Sequence, residues 1–591
     1  MMPKCWSTVL TVLSGLIFTL TSCSTDSGRF DILIENGRIV DGTGDPWFYG
    51  DIGIRGDTIV EIGDLEGRRA GRILDARGLV VAPGFIDMHT HCDSGLGRPS
   101  SNANLNYLSQ GVTTVVTGNC GGAVSLNARE TKVEWETQGI GTNAVFLVGH
   151  GDIRAEVMGN EPRETTPEEI EQMKEILRRA MLNGAWGMST GLEYVPGRYA
   201  DTEEVIEVTK VVGEFGGVYA SHMRNENALI CEAIEENVRI GEETGVPVVV
   251  SHFKVTGKSN WGLMKDAVRV IQDARDRGIL IVADQYPYTQ SSPIGLIQSF
   301  LIIPGDMEPF SDLRRDRRNR DLPETERAAL QERYMEELGK ALSDPEKRER
   351  IREATVVGRP HDPSAVAMWG WEDFSILVAD KNHHLVGTNF ADLPGARHRD
   401  IFDIVVDLIL DEPDILYGGG SQSEDDLRYA LGQDWVMISS DGGAGRIVDE
   451  STEPVRGHPR DFGSQTRILR RYVREEGVLT LEDAIRKMTS LPASFLQLKK
   501  RGILQEGFVA DLVIFDPETV RDNSTYADSR RYCSGVEHVI VNGVMSIENG
   551  EYRGALNGRL LLSIGFTRVA RRAGIYPAVS AAPPMSIRVS R

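Results

Sequence analysis

The chain has 591 residues, 40% of them hydrophobic and 26% charged, which is enough for one large domain and a smaller companion rather than a single small module. Its formal net charge of -22 comes without a clustered basic stripe, which argues against a nucleic-acid partner, because phosphate binding needs grouped Lys and Arg. Of the six cysteines, Cys5 and Cys23 belong to the amino-terminal segment, and Cys92, Cys120, Cys231 and Cys533 are spaced too widely and irregularly for a disulfide framework.

Residues 1–22 read as an export signal: Met1 to Lys4, then an apolar run from Trp6 through Leu20 that is short for a membrane span. Leu20-Thr21-Ser22-Cys23 resembles the lipobox of bacterial lipoproteins. That resemblance implies cleavage before Cys23, a lipidated Cys23 as the membrane attachment, and an exported protein at the periplasmic face. With Ser24 and Thr25 next and no Asp after the Cys, it implies an outer-membrane lipoprotein of a Gram-negative-type bacterium. The plainer alternative is an ordinary cleaved signal with an incidental Cys.

Residues 29–80 contain short apolar runs punctuated by Gly and Asp: Phe30 to Gly37, Asp51 to Ile54 and Thr58 to Ile62. Residues 499–555 have the same texture in Gly507 to Phe515 and Val539 to Gly543, so the two ends are expected to build one small β-sandwich. Between them, residues 81–498 alternate apolar, β-branched runs with helical stretches. Eight such runs stand out: Gly84 to His91, Val112 to Cys120, Asn143 to His150, Ala185 to Leu192, Val218 to His222, Val246 to His252, Leu280 to Tyr286 and Trp435 to Asp441. Helices are expected at Pro167 to Asn183, Thr202 to Gly213, Leu229 to Thr244 and Met264 to Gly278. The pattern predicts an α/β fold, a (β/α)8 TIM barrel.

About 150 residues separate the seventh run from the eighth, far more than a βα connection needs, so an insertion is expected at about 290–430. Asp312 to Arg352 within it is charge-dense and reads as helix with a solvated face, placed at the end of the barrel where a lid would sit. Residues 556–591 have weak periodicity and read as a mobile tail.

Metal-capable side chains fall at the ends of the strand runs. His89 and His91 close the first, Cys120 the second, His222 the fifth, His252 the sixth and Asp441 the eighth. In a barrel all of these reach the carboxyl-terminal mouth, where barrel enzymes place their chemistry. A single His at a strand end is more often a packed core residue than a ligand, but six coincidences in one mouth are not. His150 and Asp152, after the third run, are expected to line the same mouth.

Gly84-Phe85-Ile86-Asp87-Met88-His89-Thr90-His91 resembles the first-strand motif of the amidohydrolase superfamily, and Thr117-Gly118-Asn119-Cys120-Gly121 resembles its N-acyl-D-amino-acid deacylase (D-aminoacylase) family. Tyr219 to Arg224, Ser251 to Lys254, Asp284 to Tyr288, Ser440 to Gly442 and His458 to Arg460 are similar to the same family. The resemblance implies a tightly held Zn2+ on Cys120, His222 and His252. It also implies a second, weaker position from His89 and His91 with Cys120 and Asp441. Asp441 is the implied catalytic proton carrier. One thiolate and two imidazoles suit zinc and leave a fourth position open. The implied reaction is hydrolysis of a small-molecule N-acyl-D-amino acid to a carboxylate and a free D-amino acid, with Lys254, Tyr288 and Arg446 as substrate-binding candidates. No protein partner is implied.

Two alternatives remain. One is a cyclic amidohydrolase or dipeptidase on the same barrel, although Gly184 to Leu192 offers no Lys for the carboxylated bridge common in such enzymes. The other is a non-catalytic surface binding protein.

Overall fold

The computed structural model describes residues 29–291, 294–296, 300–304, 324–358, 364–419, 422–447, 457–526 and 528–563. The expected signal at 1–22, Cys23, and residues 564–591 of the expected tail lie outside these.

Runs of Val, Ile and Thr favour extended backbone, and here they are buried on both faces, as parallel strands covered by helices must be. The barrel strands are Phe85–Asp87, Val112–Thr117, Asn143–Gly149, Gly187–Gly191, Val218–His222, Val248–Val250, Ile281–Gln285 and Val436–Ile438. Each pairs with the next in parallel. The ring closes just past the strand ends, where Asp441 N–H donates to His89 O at 2.9 Å and His91 N–H to Gly442 O at 2.7 Å. Two of the barrel helices start where the sequence supplies caps. Thr166 and Glu169 form a reciprocal capping box ahead of Pro167–Leu182, and the Asp201 carboxylate accepts from Glu204 N–H ahead of Thr202–Phe215.

The fourth strand opens on a glycine because its neighbour comes close: a Cβ on Gly187 would stand 1.9 Å from the Val218 carbonyl oxygen. No Lys lies on this strand.

The expected runs are longer than the strands found. Regular pairing stops at Asp87, Thr117, Val250 and Ile438, and His89, Cys120, His252 and Asp441 follow in the turns beyond. Three of them adopt left-handed backbone, with φ of 53° at Cys120, 36° at His252 and 54° at Asp441. For L-residues that conformation is costly, so it persists only where surrounding structure imposes it.

Both chain ends enter one nine-stranded sheet. The seam is antiparallel pairing of Leu512–Phe515 with Val80–Pro83, flanked by Val536–Val541 on one side and Phe30–Ile39 on the other. Ile34, Ile52 and Ile59 from the amino-terminal half share one apolar core with Leu512, Ile514 and Ile540. The expected sandwich is thus a single hydrogen-bonded sheet curled over its own core, with Ile59 N–H donating to Phe508 O at 2.9 Å across the curl. Beneath the barrel, Asn143 donates to Asp511 at 3.2 Å and accepts from Asn542 at 2.8 Å, while Asp511 pairs with Arg501.

The insertion carries a three-stranded sheet of Ile294–Gly295, Leu416–Gly418 and Ser375–Val378, with its own core around Phe300, Phe374, Phe390 and Tyr417. The helical reading of Asp312 to Arg352 holds for Glu324–Ser343 and Pro345–Val357, and the stretch before Glu324 lies outside the described residues. One expectation needs correction. Residues 556–563 are not a loose tail: Leu560–Leu561 pairs in parallel with Ala144 and Val145, and Leu560 is buried. The fourth strand meets the third only from Leu147 onward, which leaves the start of the third strand an open edge for these residues to cover.

Candidate metal centre and active site

Cys120, His222 and His252 converge at the mouth. Cys120 Sγ lies 3.7 Å from His222 Nδ1 and 3.6 Å from His252 Nε2. Zinc at its usual bond lengths of about 2.3 Å to sulfur and 2.0–2.1 Å to nitrogen, with tetrahedral angles, sets such atoms about 3.5–3.6 Å apart. The donor set therefore fits zinc in chemistry and in spacing. The ring nitrogens that face away from Cys120 meet carboxylates: Glu193 lies 2.9 Å from His222 Nε2 and Glu226 2.7 Å from His252 Nδ1. Carboxylates in that position fix the tautomer of a ligating His.

A second group shares the sulfur. His89 Nε2 lies 3.3 Å from Cys120 Sγ and 3.5 Å from Asp441 Oδ1, and His91 Nε2 lies 3.1 Å from the same oxygen. Nδ1 of His89 faces Asp284 at 3.4 Å. Burial works against a thiolate at Cys120, but His89, His222 and His252 outweigh it and hold its pKa well below the usual value, as a metal ligand requires.

Asp441 sits between this pair of positions and a buried cation. Its Oδ2 accepts from Arg460 Nη1 at 2.6 Å. Burial opposes its charge, yet Arg460 and His91 prevail and keep the carboxyl well below its ordinary range. The turn that presents Cys120 depends on Gly118, with φ of +80°, where a Cβ would stand 2.0 Å from Leu147 O.

All six residues expected as ligands or proton carrier thus come together. The substrate-binding candidates divide. Lys254 is at the centre, buried, with Nζ 2.6 Å from Glu226 and 2.8 Å from His252 Nδ1. Tyr288 stands further out, its hydroxyl donating to Pro459 O at 3.4 Å and its ring against Arg467 and His458. Arg446 is exposed beyond the eighth strand and does not join the cluster. His150 does not line the mouth either. It is fully buried, with Nε2 2.9 Å from Glu204, which also holds Arg154 at 3.1 Å. Asp152 accepts from Ala123 N–H at 2.6 Å and so ties down the loop after Cys120.

Sequence reasoning missed Glu193, Glu226, Asp284, Tyr286 and Arg460 as members of the site. Asp284, Tyr286 and Arg460 stood inside motifs already singled out. Glu226, four residues past His222, had no distinguishing signal, because a buried acid and a surface acid read alike in one chain.

A (β/α)8 barrel with Cys, His and Asp donors gathered at the carboxyl-terminal mouth defines a metal-dependent hydrolase. The amidohydrolase family model matches residues 72–295 and 437–547, and the chain belongs to that family, within its D-aminoacylase branch. A D-aminoacylase of Alcaligenes xylosoxydans xylosoxydans is 34% identical over 564 residues, covering 91% of this chain and 98% of that protein. Among solved structures, a D-aminoacylase studied for its binuclear metal centre aligns with a TM-score of 0.70 at 31% identity, over 90% of this chain and all of that one. The N-acyl-D-glutamate deacylase of Bordetella bronchiseptica, solved with zinc and a phosphonate mimic of the tetrahedral intermediate, gives 0.70 at 29% identity over the same shares.

Proposed function

We propose that this protein is a zinc-dependent deacylase that hydrolyses the amide bond of N-acyl-D-amino acids, releasing a carboxylate and a free D-amino acid. The observation that carries the reading is the meeting of Cys120, His222 and His252 at zinc spacing beside Asp441. The D preference follows from the relatives, a D-aminoacylase and an N-acyl-D-glutamate deacylase.

When bound, zinc supplies a Lewis acid that activates water at neutral pH and polarises the amide carbonyl. Cys120, His222 and His252 would hold it, with His89 and His91 beside Cys120 and Asp441 forming the second, weaker position. Asp441 accepts a proton from the attacking water and returns one to the departing amine nitrogen, a role open to an ionised carboxylate at the mouth. Arg460 orients that carboxylate through its 2.6 Å contact. Arg460 and Lys254 flank the Tyr286 ring, at 5.3 Å and 6.0 Å from its centre, and together supply the positive charge that receives the substrate α-carboxylate.

The test is amine release from a paired panel of N-acetyl D- and L-amino acids, with zinc-loaded protein beginning after Cys23 run beside Asp441→Ala. Release from D-compounds alone, lost in the variant and lost on chelation, is the expected result. No release from any acyl amino acid despite bound zinc would remove the substrate class.

The protein acts outside the cytoplasm, carried there by the signal at 1–22 and attached through a lipidated Cys23, as the lipobox-like Leu20 to Cys23 supports. Among the described residues no helix is long and apolar enough to cross a membrane. Labelled palmitate should enter the wild-type chain and not Cys23→Ser, and equal labelling of both would defeat the proposal.

A further inference from the structure

Three buried groups meet beside the metal ligands in an arrangement that cannot satisfy all of them at once. Lys254 Nζ is 2.8 Å from His252 Nδ1 and 2.6 Å from Glu226 Oε2, while Glu226 Oε1 is 2.7 Å from the same Nδ1. The three residues are only 5%, 7% and 2% exposed at Lys254, Glu226 and His252 respectively, measured on their side chains, so bulk water does not stand in for a missing partner.

An ammonium has three donors and no acceptor, and a neutral imidazole has one N–H. His252 Nδ1 can therefore accept from Lys254 or donate to Glu226, but not both. His252 Nε2 faces Cys120 within the zinc-fitting donor set, and a neutral ring that ligates through Nε2 carries its proton on Nδ1. In that tautomer the Lys254 contact sets donor against donor. Glu226 Oε1, buried, without a hydrogen-bond partner among the described residues and only 2.7 Å from Nδ1, is the acceptor at hand.

We infer that Glu226 is a positioning residue that couples metal retention at His252 to the placement of Lys254. Ligation through Nε2 directs Nδ1–H to Glu226 and turns the Lys254 ammonium off the ring, toward the side where Arg460 and Tyr286 lie. The consequence for the substrate carboxylate rests on the deacylase reading, but the coupling itself does not. By reciprocity, whatever draws Lys254 away from the ring also strengthens the hold on the metal.

The experiment is the rate of zinc release from zinc-loaded full-length protein to a chelating dye, for Glu226→Gln, Lys254→Met and the double variant. Loss of the carboxylate partner of a ligating His should speed release by about tenfold or more in Glu226→Gln. Lys254→Met should release zinc no faster than wild type, because it removes only the competing donor. The double variant should release more slowly than Glu226→Gln and faster than Lys254→Met. It leaves neither buried charge unpaired, so folding of that protein keeps the comparison usable.

A merely structural role for the pair would speed release in both single variants alike. Lys254→Met releasing as fast as Glu226→Gln, or a double variant no slower than Glu226→Gln, would overturn the coupling. Amine release and KM for N-acetyl-D-amino acids, measured on the same proteins, report separately on the substrate: a raised KM in Lys254→Met supports the carboxylate role. Zinc release that follows the stated order without any deacylase activity would uphold the coupling while sinking the substrate assignment.

Discussion

At the scale of single residues, the site relies on charges that burial alone would suppress. Asp441 stays ionised because Arg460 and His91 offset the cost of its burial. Asp441→Asn keeps the size of the side chain and tolerates the left-handed backbone at φ 54°, so it should fold and retain zinc. Its kcat should fall by roughly 10²–10⁴-fold, the usual worth of a proton-transfer group, with zinc content by elemental analysis as the control. Glu204 makes a second case away from the metal. Burial raises its pKa, but His150, Arg154 and Thr165 outweigh this and leave it below the ordinary value. A carboxyl lowered in the folded state contributes stability above its unfolded pKa, near 4.3, and loses that contribution as pH falls through the folded value. Glu204→Gln should therefore cost about 3 kcal/mol in urea unfolding at pH 7, with the gap to wild type narrowing below about pH 4. A gap that widened on acidification would reverse the assignment.

At the scale of elements, chemistry sits on the turns and rigidity on the strands. The expected strands ran through the ligands because the apolar, β-branched runs end in them without a break in pattern. The structure stops pairing two or three residues before His89, Cys120, His252 and Asp441, and at the last three a left-handed residue bends the chain, so that ligands from separate strands meet. That bend is invisible to periodicity, since the apolar run continues up to the ligands and Cys and His carry no turn signal of their own. Gly118 does carry such a signal, as a residue whose absence of a side chain is needed. Gly118→Ala should destabilise the protein by more than about 1 kcal/mol and lower its zinc content, because a Cβ collides with Leu147 O and displaces the turn bearing Cys120. Circular-dichroism melting and zinc analysis would check both. The short strand Leu560–Leu561 is the other correction at this scale. Two residues give too little pattern to read, and their pairing exists only because the third strand presents a free edge. Ending the chain after Gly554 removes buried Leu560 and the Leu561 carbonyl that accepts from Trp186 Nε1 at 2.6 Å. A loss of about 2–4 kcal/mol in urea unfolding is expected.

At the scale of the whole molecule, the barrel and the end-built sheet are joined beneath the strands by a buried polar network. Asp511 is its hub: it pairs with Arg501, accepts from Asn143 at 3.2 Å and accepts from Asn542 N–H at 2.7 Å. Removing the acid strands a buried guanidinium, which typically costs about 3–5 kcal/mol. Asp511→Ala should lower stability by that order and broaden or split the urea transition, as the sheet and barrel lose their shared tie. A single, unshifted transition would show that the apolar contacts alone carry the junction.

The amino-acid sequence by itself determined the repeated strand and helix units, the insertion, the resemblance to the amidohydrolases and the six residues at the metal centre. These were legible because periodicity is local and because each ligand follows an apolar run directly. Tertiary structure alone decided which charges are buried and which nitrogen of each His faces which partner. It placed Glu193, Glu226 and Arg460 in the site, set Tyr288 further out and left Arg446 at the surface. Burial and pairing are properties of what lies across the fold rather than along the chain, so an acid four residues past a ligand acquires meaning only when the strands have closed.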